Sequence, residues 1–542
     1  MRFTAGAIVA IAALGDVAAA RPKRGNGHHG GKPGHSCRET TVAILGGGMA
    51  GISAAQALHN ASITDFVIME YQDRIGGRTK STTFGKQPDG SPYTVELGAN
   101  WIQGLGQEGG PENPVWTFAK KYNLSNTFSD YDSILTYDET GHVDYIDLLD
   151  EFWEMYEGMA IEAGRLLAEN IQDRSAKSGM AVAGWSPQHS DMKAQAAEYW
   201  NWDWETAYPL GESSMIFGVA GSNLTFNQFS DENNLVVDPR GYAAIIEGEA
   251  ATFLADDDDR LMLSTKITNI TYSGDGVIIL SEDGSCVKAD YAICTFSLGV
   301  LQSDAVTYEP ELPEWKQTSV FQFDMGTYTK IFFQFNETFW PDDTQYFLYA
   351  SPEQRGYWAL WQSLTPEGFL PGSNIIFATV TNDESYRLEQ LSDDEAMEEG
   401  LAVLRQMFPD ADVPRPTAFM YPRWTKTEWA HGSYSNWPVG TTLEMHQNLR
   451  ANVDRLWFAG EATSATYFGF LHGAWFEGRE AAMQIAGMLL GDCLEIYDDI
   501  ELCGPRPHYE ELTGMSPLEN YNVLNGWAVS SLAEAKRRKR GL

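Results

Sequence analysis

A glycine-rich turn between a strand pattern and a helix pattern constrains the fold of this chain more than any other feature. The residues Gly46-Gly47-Gly48-Met49-Ala50-Gly51 match G-x-G-x-x-G. They follow Thr41–Leu45, a β-favouring run typical of a buried parallel strand, and precede the helical spacing of Ile52–Leu58. A second apolar run, Phe66–Met69, ends at Glu70. This order predicts the first β-α-β unit of a Rossmann-type domain, with a dinucleotide on the helix N-terminus.

The glycines of this fingerprint have separate structural roles. Gly46 makes the tight turn, Gly48 lets the backbone approach a diphosphate, and Gly51 permits close packing of the helix on the strand. Glu70 stands about 20 residues further on, where an acid binds ribose hydroxyls. A second match, at 104–109, follows no apolar strand and leads into a proline-containing segment instead of a helix, so we predict a loop there.

Length and charge limit the number of domains and the kinds of ligand. At 542 residues the chain is too long for one compact core, and two or three domains are expected. The 37 basic and 75 acidic residues leave a net charge of −38, which repels nucleic acid and anionic membranes and concentrates cations. Two causes fit this charge: the solubility of a secreted protein, or a polycationic substrate. Neither nucleic acid nor a membrane is expected as a partner of the mature form.

The amino terminus has the pattern of a secretory signal. A basic residue is followed by a short apolar stretch and by Ala18–Ala20, so 1–20 is predicted to be a cleaved signal peptide and 21–38 a flexible leader. No second hydrophobic segment reaches transmembrane length, and we expect a secreted, extracellular protein. Sequons that fit this route begin at Asn60, Asn123, Asn223, Asn269 and Asn336.

Cysteines and histidines suggest neither a disulfide scaffold nor a metal site. Of the five cysteines, Cys493 and Cys503 could close a short loop, and the other three are candidates for free thiols. The histidines at 28–29 lie in the leader without partners at metal-ligand spacing. His472 has no companion in the sequence and is interpreted as structural. No metal is therefore predicted.

Strand and helix patterns alternate in a way that predicts two interleaved domains. The middle of the chain, 148–207, favours helix. Later strands are predicted in 261–295 and at 327–335, 374–380 and 455–459, and later helices at 393–407 and 474–490. We therefore predict an α/β fold. A discontinuous Rossmann-type cofactor-binding domain (39–130, 228–318 and 440–495) is interleaved with an α+β substrate-binding domain (131–227 and 319–439), and a C-terminal tail follows (496–542).

Six further motifs accompany the fingerprint in a fixed order. They are I-G-G-R at Ile75–Arg78, E-L-G-A-N-W at Glu96–Trp101, S-L-G-V-L-Q-S-D at Ser297–Asp304, Y-T-K-I-F at Tyr328–Phe332, S-N-W-P-V-G at Ser435–Gly440 and F-A-G-E-A-T-S at Phe458–Ser464. With them the chain resembles the flavin-containing amine oxidase family, and most of all the secreted plant-type polyamine oxidases. The resemblance covers roughly Val42–Leu490.

The resemblance implies that the Rossmann-type domain binds FAD. It implies that Glu70 binds the adenosine ribose, that Arg78 binds the diphosphate and that Glu461 contacts the diphosphate–ribityl end. It also implies backbone hydrogen bonds from Ile267 to the adenine, and it places Leu471 near the flavin ring. Because no cysteine can be placed beside the flavin, non-covalent binding is expected.

Lys330 is the catalytic candidate. From its spacing alone, a lysine in the strand pattern of 327–335 is most simply an edge-strand lysine that guards against aggregation. The resemblance implies a different role, in which this lysine holds a water against flavin N5.

Candidate substrate contacts combine aromatic and acidic residues. Tyr434 and Phe470 match the family's aromatic pair beside the flavin ring, and core aromatics are the alternative. Glu205 matches an acid that holds a distal ammonium, and a solvated helix face is the alternative. Gln103 departs from the family, because the plant enzymes have a second acid there. The neutral amide weakens the expectation of spermine-like recognition and makes an N-acetylated amine more plausible.

These observations together predict an FAD-dependent oxidase of polyamines, free or N-acetylated, that works as a monomer. Hydride passes from a carbon next to nitrogen to flavin N5, the imine hydrolyses to an aldehyde and an amine, and O₂ is reduced to H₂O₂. Two alternatives remain open. One is an L-amino-acid oxidase of the same fold, although no arginine can be assigned to a substrate carboxylate. The other is a secreted flavin-binding protein without turnover, against which Lys330 argues.

Overall fold

The computed structural model describes residues 37–107, 109–222, 225–226, 229–497, 500–502 and 504–514. The predicted signal peptide, nearly all of the leader, Asn223, Cys503 and most of the tail lie outside these residues. The strands are β1 (Arg38–Leu45), β2 (Phe66–Met69), β3 (Ser81–Phe84), β4 (Tyr93–Glu96), β5 (Trp101–Gln103), β6 (Asn126–Phe128), β7 (Ile134–Asp138), β8 (Gly141–His142), β9 (Asn233–Val236), β10 (Leu261–Met262), β11 (Ile267–Ser273), β12 (Gly276–Ser281), β13 (Cys286–Cys294), β14 (Thr307–Glu309), β15 (Asp324–Gly326), β16 (Tyr328–Gln334), β17 (Tyr346–Tyr349), β18 (Leu360–Ser363), β19 (Ile375–Thr381), β20 (Ala418–Met420), β21 (Tyr434–Asn436), β22 (Leu456–Phe458), β23 (Leu494–Tyr497) and β24 (Ile500–Leu502). The α-helices are α1 (Met49–Asn60), α2 (Pro114–Lys121), α3 (Asp147–Ala168), α4 (Ala176–Ala183), α5 (Met192–Glu198), α6 (Trp204–Thr206), α7 (Met215–Ser222), α8 (Ala244–Ala250), α9 (Leu298–Leu301), α10 (Glu314–Gln322), α11 (Asn382–Leu388), α12 (Asp393–Met407), α13 (Leu443–Arg450) and α14 (Leu471–Leu490).

The fingerprint lies in an 8-stranded sheet, where the strand order is β10-β2-β1-β13-β12-β11-β14 and β22 pairs with the end of β13. β1 runs parallel to β2 and to β13. Val42 and Ile44 pack with residues of α1 and α14 on one face of β1, and Ala43 and Leu45 belong to a second core on the other face. Burial on both faces explains why this strand is continuously apolar. The predicted Rossmann-type β-α-β unit is confirmed.

A second, 7-stranded sheet has the order β20-β16-β19-β18-β17-β7-β8. Its strand β16 is antiparallel to β19 on one side and to β20 on the other, so it is an interior strand. Ile331 and Phe333 pack against α12 residues such as Leu404, and Lys330 faces the opposite side and is wholly buried. The reading of Lys330 as an edge-strand lysine is therefore wrong.

The predicted helix-rich middle is observed as α3 to α6. Between α5 and α6 the chain forms a π-helical turn, Tyr199–Asp203. Arg355 reaches this turn from the β17–β18 connection and pairs with Glu198 at 3.0 Å and with Asp203. The turn ends two residues before Glu205, so its geometry determines the position and direction of the Glu205 side chain.

The disulfides correct part of the cysteine prediction. Cys37 and Cys286, expected to be free, form a disulfide, whereas Cys294 is a buried free thiol. The bonded cysteines are 249 residues apart, and only the parallel pairing of β1 with β13 brings them together. Cys493 is also disulfide-bonded, and its expected partner Cys503 lies outside the described residues.

No helix within the described residues is both long and apolar enough to cross a membrane. Nothing divides the described chain at the domain boundaries proposed from the sequence, and those boundaries stay a prediction.

Candidate active site

A cavity of about 1440 Å³ extends from the β1–α1 turn to the strands β16 and β21. Every predicted site residue lines it except Gly51 and Lys330. This volume exceeds that of an ordinary small-molecule pocket, about 300–1,000 Å³. It can therefore hold a dinucleotide and a second ligand together.

The start of α1 forms one end of the cavity. Gly48 caps this helix without a side-chain hydrogen bond, and no acid lies in its first turn. The first backbone N–H groups are therefore left for an anion. Gly46 has a φ of +118°, and a Cβ on Gly51 would lie 1.9 Å from the carbonyl oxygen of Gly46. The absence of a side chain at Gly51 thus lets α1 pack directly against the turn, and the turn fits the diphosphate of FAD.

Three further predicted cofactor residues line the same cavity. Glu70 follows β2, and its carboxylate accepts the N–H groups of Gly47 at 2.6 Å and Gln72 at 2.8 Å. Burial raises the pKa of Glu70. Ile267 begins β11, and Leu471 begins α14. All three line the cavity, and their individual contacts to FAD stay predictions.

Arg78 and Glu461 come from motifs 383 residues apart, yet they form an ion pair. The Arg78 Nη1 donates to Glu461 Oε1 at 2.9 Å and to the carbonyl oxygen of Ser433 at 2.8 Å. The Glu461 carboxylate also accepts from Ser435 Oγ at 2.6 Å and from the Gly469 N–H at 2.9 Å. The pair is therefore fixed before any cofactor contact is made, and both side chains line the cavity.

Lys330 lies just behind the cavity wall. Its Nζ donates to the carbonyl oxygen of Gly98 at 2.8 Å and to Asn100 Oδ1 at 2.9 Å, and it lies 5.5 Å from the ring centre of Trp101. Gly98, Asn100 and Trp101 all line the cavity. Burial lowers the pKa of Lys330, and the nearby carboxylate of Glu96 opposes that shift. Burial thus favours a neutral amine with a lone pair.

Glu205 and Gln103 are direct neighbours. Gln103 Nε2 donates to Glu205 Oε1 at 3.0 Å, and both residues line the cavity. Burial raises the pKa of Glu205 to about 7, and the bond from Gln103 opposes that shift. Glu205 is therefore not part of a solvated helix face, because its half-buried carboxylate lines the cavity.

The predicted aromatic pair also lies on the cavity wall. Tyr434 Oη donates to the backbone carbonyl of Glu205 at 2.8 Å, which ties the aromatic position to the acid. Phe470 is the residue before α14, and its ring stacks on His472 with centroids 5.1 Å apart. Both rings are partly exposed to the cavity and are not ordinary core aromatics.

Several aromatic residues of the site were not predicted from the sequence. Tyr328 faces Tyr434 with ring centroids 6.0 Å apart. Trp200 and Trp204 stack at 4.7 Å, and Tyr131 contacts both rings edge-on. All four line the cavity. The aromatic-rich stretch around the π-helical turn was visible in the sequence, but which of its rings face a ligand depends on the turn.

Comparisons with known proteins agree with this geometry. Residues 49–486 match the family model described as flavin containing amine oxidoreductase. The chain is 39% identical over 461 residues to Polyamine oxidase 1 of Zea mays, which covers 81% of this chain and 89% of the relative. It is 38% identical to Polyamine oxidase 7 of Oryza sativa subsp. japonica, over 81% of this chain and 93% of the relative.

The fold is also found among solved structures. A structure of wild-type putrescine oxidase bound to putrescine matches with a TM-score of 0.64 and 18% identity, and the match covers 84% of this chain and 100% of that one. At this identity the likeness concerns the fold alone. The family model, in contrast, spans most of the sequence, including the fingerprint helix and most of α14. The chain therefore belongs to the flavin-containing amine oxidoreductase family, whose members use FAD to oxidise amines.

Proposed function

We propose that this protein oxidises polyamines, with Glu205 holding a distal ammonium group while a carbon–nitrogen bond lies beside the flavin. The observation that carries this substrate class is the Glu205 carboxylate on the wall of an aromatic-lined cavity. The relatives named as polyamine oxidases support the same class. FAD, when bound, supplies the chemistry by accepting hydride from the carbon next to nitrogen and passing the electrons to O₂, which yields H₂O₂.

The residues of the chain prepare the substrate for this chemistry. An ammonium has no lone pair to stabilise a developing iminium, so the reacting nitrogen must be neutral. The rings of Tyr434, Tyr328 and Phe470 form an apolar environment that favours the neutral amine. Lys330, held by Gly98 and Asn100, keeps a lone pair available for a water molecule at the cavity wall. That water is suited to accept a proton or to attack the imine carbon.

A screen of candidate substrates tests the proposal directly. Purified yellow protein is assayed for peroxide with spermine, spermidine, N¹-acetylspermine and a set of L-amino acids. We expect peroxide with one or more polyamines and none with the amino acids. Peroxide from L-amino acids alone would identify the same fold as an amino-acid oxidase, and no peroxide from any compound would favour a flavin-binding protein without turnover.

The Gln103→Glu variant should bind unacetylated polyamines more tightly. A second carboxylate would then lie about as close to Glu205 as the present amide, whose Nε2 is 3.0 Å away. We expect the KM for spermine to fall about five-fold, equivalent to about 1 kcal/mol. The gain should appear only above the upper pKa of the carboxylate pair, which lies above the pKa of Glu205 in the unaltered protein, because two neighbouring carboxylates share a proton at lower pH. The KM for N¹-acetylspermine is the control. Unchanged KM values for both compounds would show that position 103 has no role in polyamine recognition.

Glu205 should also give polyamine oxidation a pH dependence near neutrality. Its pKa is raised to about 7 by burial, so the carboxylate is charged above that pH and is neutralised as the pH falls. We expect kcat/KM for spermine to decline below about pH 7 and the Glu205→Gln variant to lack this limb. Above it, the variant should be about 10- to 100-fold less efficient, as expected for a lost charged hydrogen bond of about 1.5–3 kcal/mol. An unaltered profile in the variant would assign the limb to another group.

We infer that the protein is secreted and glycosylated and works as a monomer. The amino-terminal pattern of 1–20 supports secretion, and so does the Cys37–Cys286 disulfide, since such bonds persist in oxidising compartments. Asn60 and Asn336 begin sequons and are exposed. Expression of the full chain should release into the medium a protein whose mass falls on glycosidase treatment, and light scattering should give the mass of one chain. Retention inside the cell would contradict secretion, and an unchanged mass would contradict glycosylation. The mass of a dimer would contradict the monomer.

A further inference from the structure

Asn113 lies between two substrate contacts that the sequence identified separately. Its side chain is wholly buried and caps α2, where Oδ1 accepts the Val115 N–H at 2.9 Å. On the other side, Nδ2 donates to the backbone carbonyl of Gln103 at 2.8 Å and lies 3.2 Å from His472 Nδ1. One buried amide therefore touches both the strand that carries Gln103 and the helix that follows Phe470.

The hydrogen bonds of Asn113 determine the tautomer of His472. Because Asn113 Nδ2 only donates, His472 Nδ1 must accept, and the ring proton lies on Nε2. From there it is donated to Thr225 Oγ1 at 3.2 Å. Burial lowers the pKa of His472 to about 3, so the ring is neutral around neutral pH. The imidazole ring is therefore uncharged, and hydrogen bonds to Asn113 and Thr225 hold both of its nitrogens in place.

The imidazole ring of His472 packs against three aromatic rings. Phe470 stacks on it with centroids 5.1 Å apart and ring planes inclined by 21°. Tyr467 contacts it at 4.8 Å and Phe229 at 5.6 Å, both edge-on. Of these four residues only Phe470 lines the cavity. His472 thus holds the ring of Phe470 from behind, and Asn113 holds His472.

We propose that Asn113 and His472 are positioning residues that fix the distance between the Gln103–Glu205 pair and the ring of Phe470. This inference rests on the proposed function, because that distance decides which carbon–nitrogen bond of a polyamine lies at the flavin. The two carbons flanking a secondary nitrogen differ in position by only two bonds. A small displacement of Phe470 relative to Glu205 therefore changes which of them reacts.

The test uses the FAD-loaded enzyme and spermidine. The two carbons that flank its secondary nitrogen are chemically inequivalent, so oxidation at each gives different products. The variants are His472→Gln, which removes the stacking ring, and Asn113→Asp, which replaces the donor toward Gln103 and His472 by an acceptor. We expect one product in the unaltered enzyme and a mixture in both variants, measured by mass spectrometry. We also expect kcat to fall about 10- to 100-fold, as misplacement of a substrate does. The KM should change far less, because Glu205 still holds the distal ammonium.

A matched control separates positioning from loss of stability. Asn448 is equally buried, and its amide bonds to the backbone N–H and C=O of Tyr509, away from the cavity. The Asn448→Asp variant should lower Tm and leave the product ratio unchanged. If His472→Gln holds no FAD, His472→Phe, which keeps a stacking ring without the hydrogen bonds, is measured in its place.

The result can overturn the inference independently of the proposed function. Unchanged product ratios and unchanged kcat in the Asn113 and His472 variants would overturn it, and so would an equal shift in the Asn448 control. If the unaltered enzyme produces no peroxide with any polyamine, the proposed function has failed instead.

Discussion

Replacement of Lys330 by methionine is expected to lower kcat by about 100- to 10,000-fold, the usual contribution of a positioned proton-transfer group. Methionine fills a similar volume but has no N–H, and its thioether sulfur is only a weak hydrogen-bond acceptor for a water molecule. The carbonyl of Gly98 and the side chain of Asn100 would lose their donor but would still line the cavity. FAD should therefore remain bound. The measurements are kcat per bound flavin and the rate of flavin reduction by substrate without oxygen.

Lys316 provides a matched control for this variant. It is also wholly buried, and its Nζ donates to the backbone carbonyls of Asn448, Leu449 and Ala451, none of which lines the cavity. The Lys316→Met variant should lower Tm, because three buried acceptors lose their donor, and it should leave kcat per bound flavin unchanged. Equal losses of turnover in the two variants would reduce the role of Lys330 to a structural one.

The Gly51→Ala variant should lose most of its bound FAD. The added Cβ would lie 1.9 Å from the carbonyl oxygen of Gly46, and this atom belongs to the backbone of the turn and cannot rotate away. Relief of the clash must move α1 away from β1 at the diphosphate site, with a cost of about 1–3 kcal/mol. The ratio of visible flavin absorbance to protein absorbance measures the loss of cofactor, and thermal unfolding measures the loss of stability.

Gly274 is the control for this second variant, because it lies between β11 and β12 of the same sheet. A Cβ there would meet no atom within 4 Å. The Gly274→Ala variant should keep its full flavin content. Retention of full flavin by Gly51→Ala would show that the turn can adjust, and the fingerprint would lose its strict requirement for glycine at that position.

The elements around the fingerprint could be predicted because their signals are local. The run at Thr41–Leu45 and the glycines after it specify strand, turn and helix within a few residues of one another, and the structure has β1 and α1 there. The helix predicted at 393–407 has the bounds that the structure has, since its apolar spacing lies within the helix itself, and the structure shows a capping box of Ser392 and Glu395 at its start. The motifs for Arg78 and Glu461 are local in the same way.

Burial and pairing could not be predicted, because they depend on residues far apart in the chain. The strand pattern alone predicts an edge-strand lysine at Lys330, whereas β16 has β19 on one side and β20 on the other. Sequence spacing predicts that Cys37 and Cys286 are free, whereas the pairing of β1 with β13 brings them into a disulfide. The missing acid at Gln103 was evident from the motif, but its hydrogen bond to Glu205, 102 residues away, was not.

By itself, then, the sequence determined that this is a flavin-binding amine oxidoreductase, because a phosphate-binding turn and its associated motifs are short segments whose chemistry does not depend on their neighbours. Only the tertiary structure decided which groups act together in the cavity. It buried Lys330 under the second sheet, joined Gln103 to Glu205, and placed Asn113 and His472 behind Gln103 and Phe470, the proposed substrate contacts. The physical reason is that hydrogen bonding, desolvation and packing act through space, and their partners are chosen by the fold.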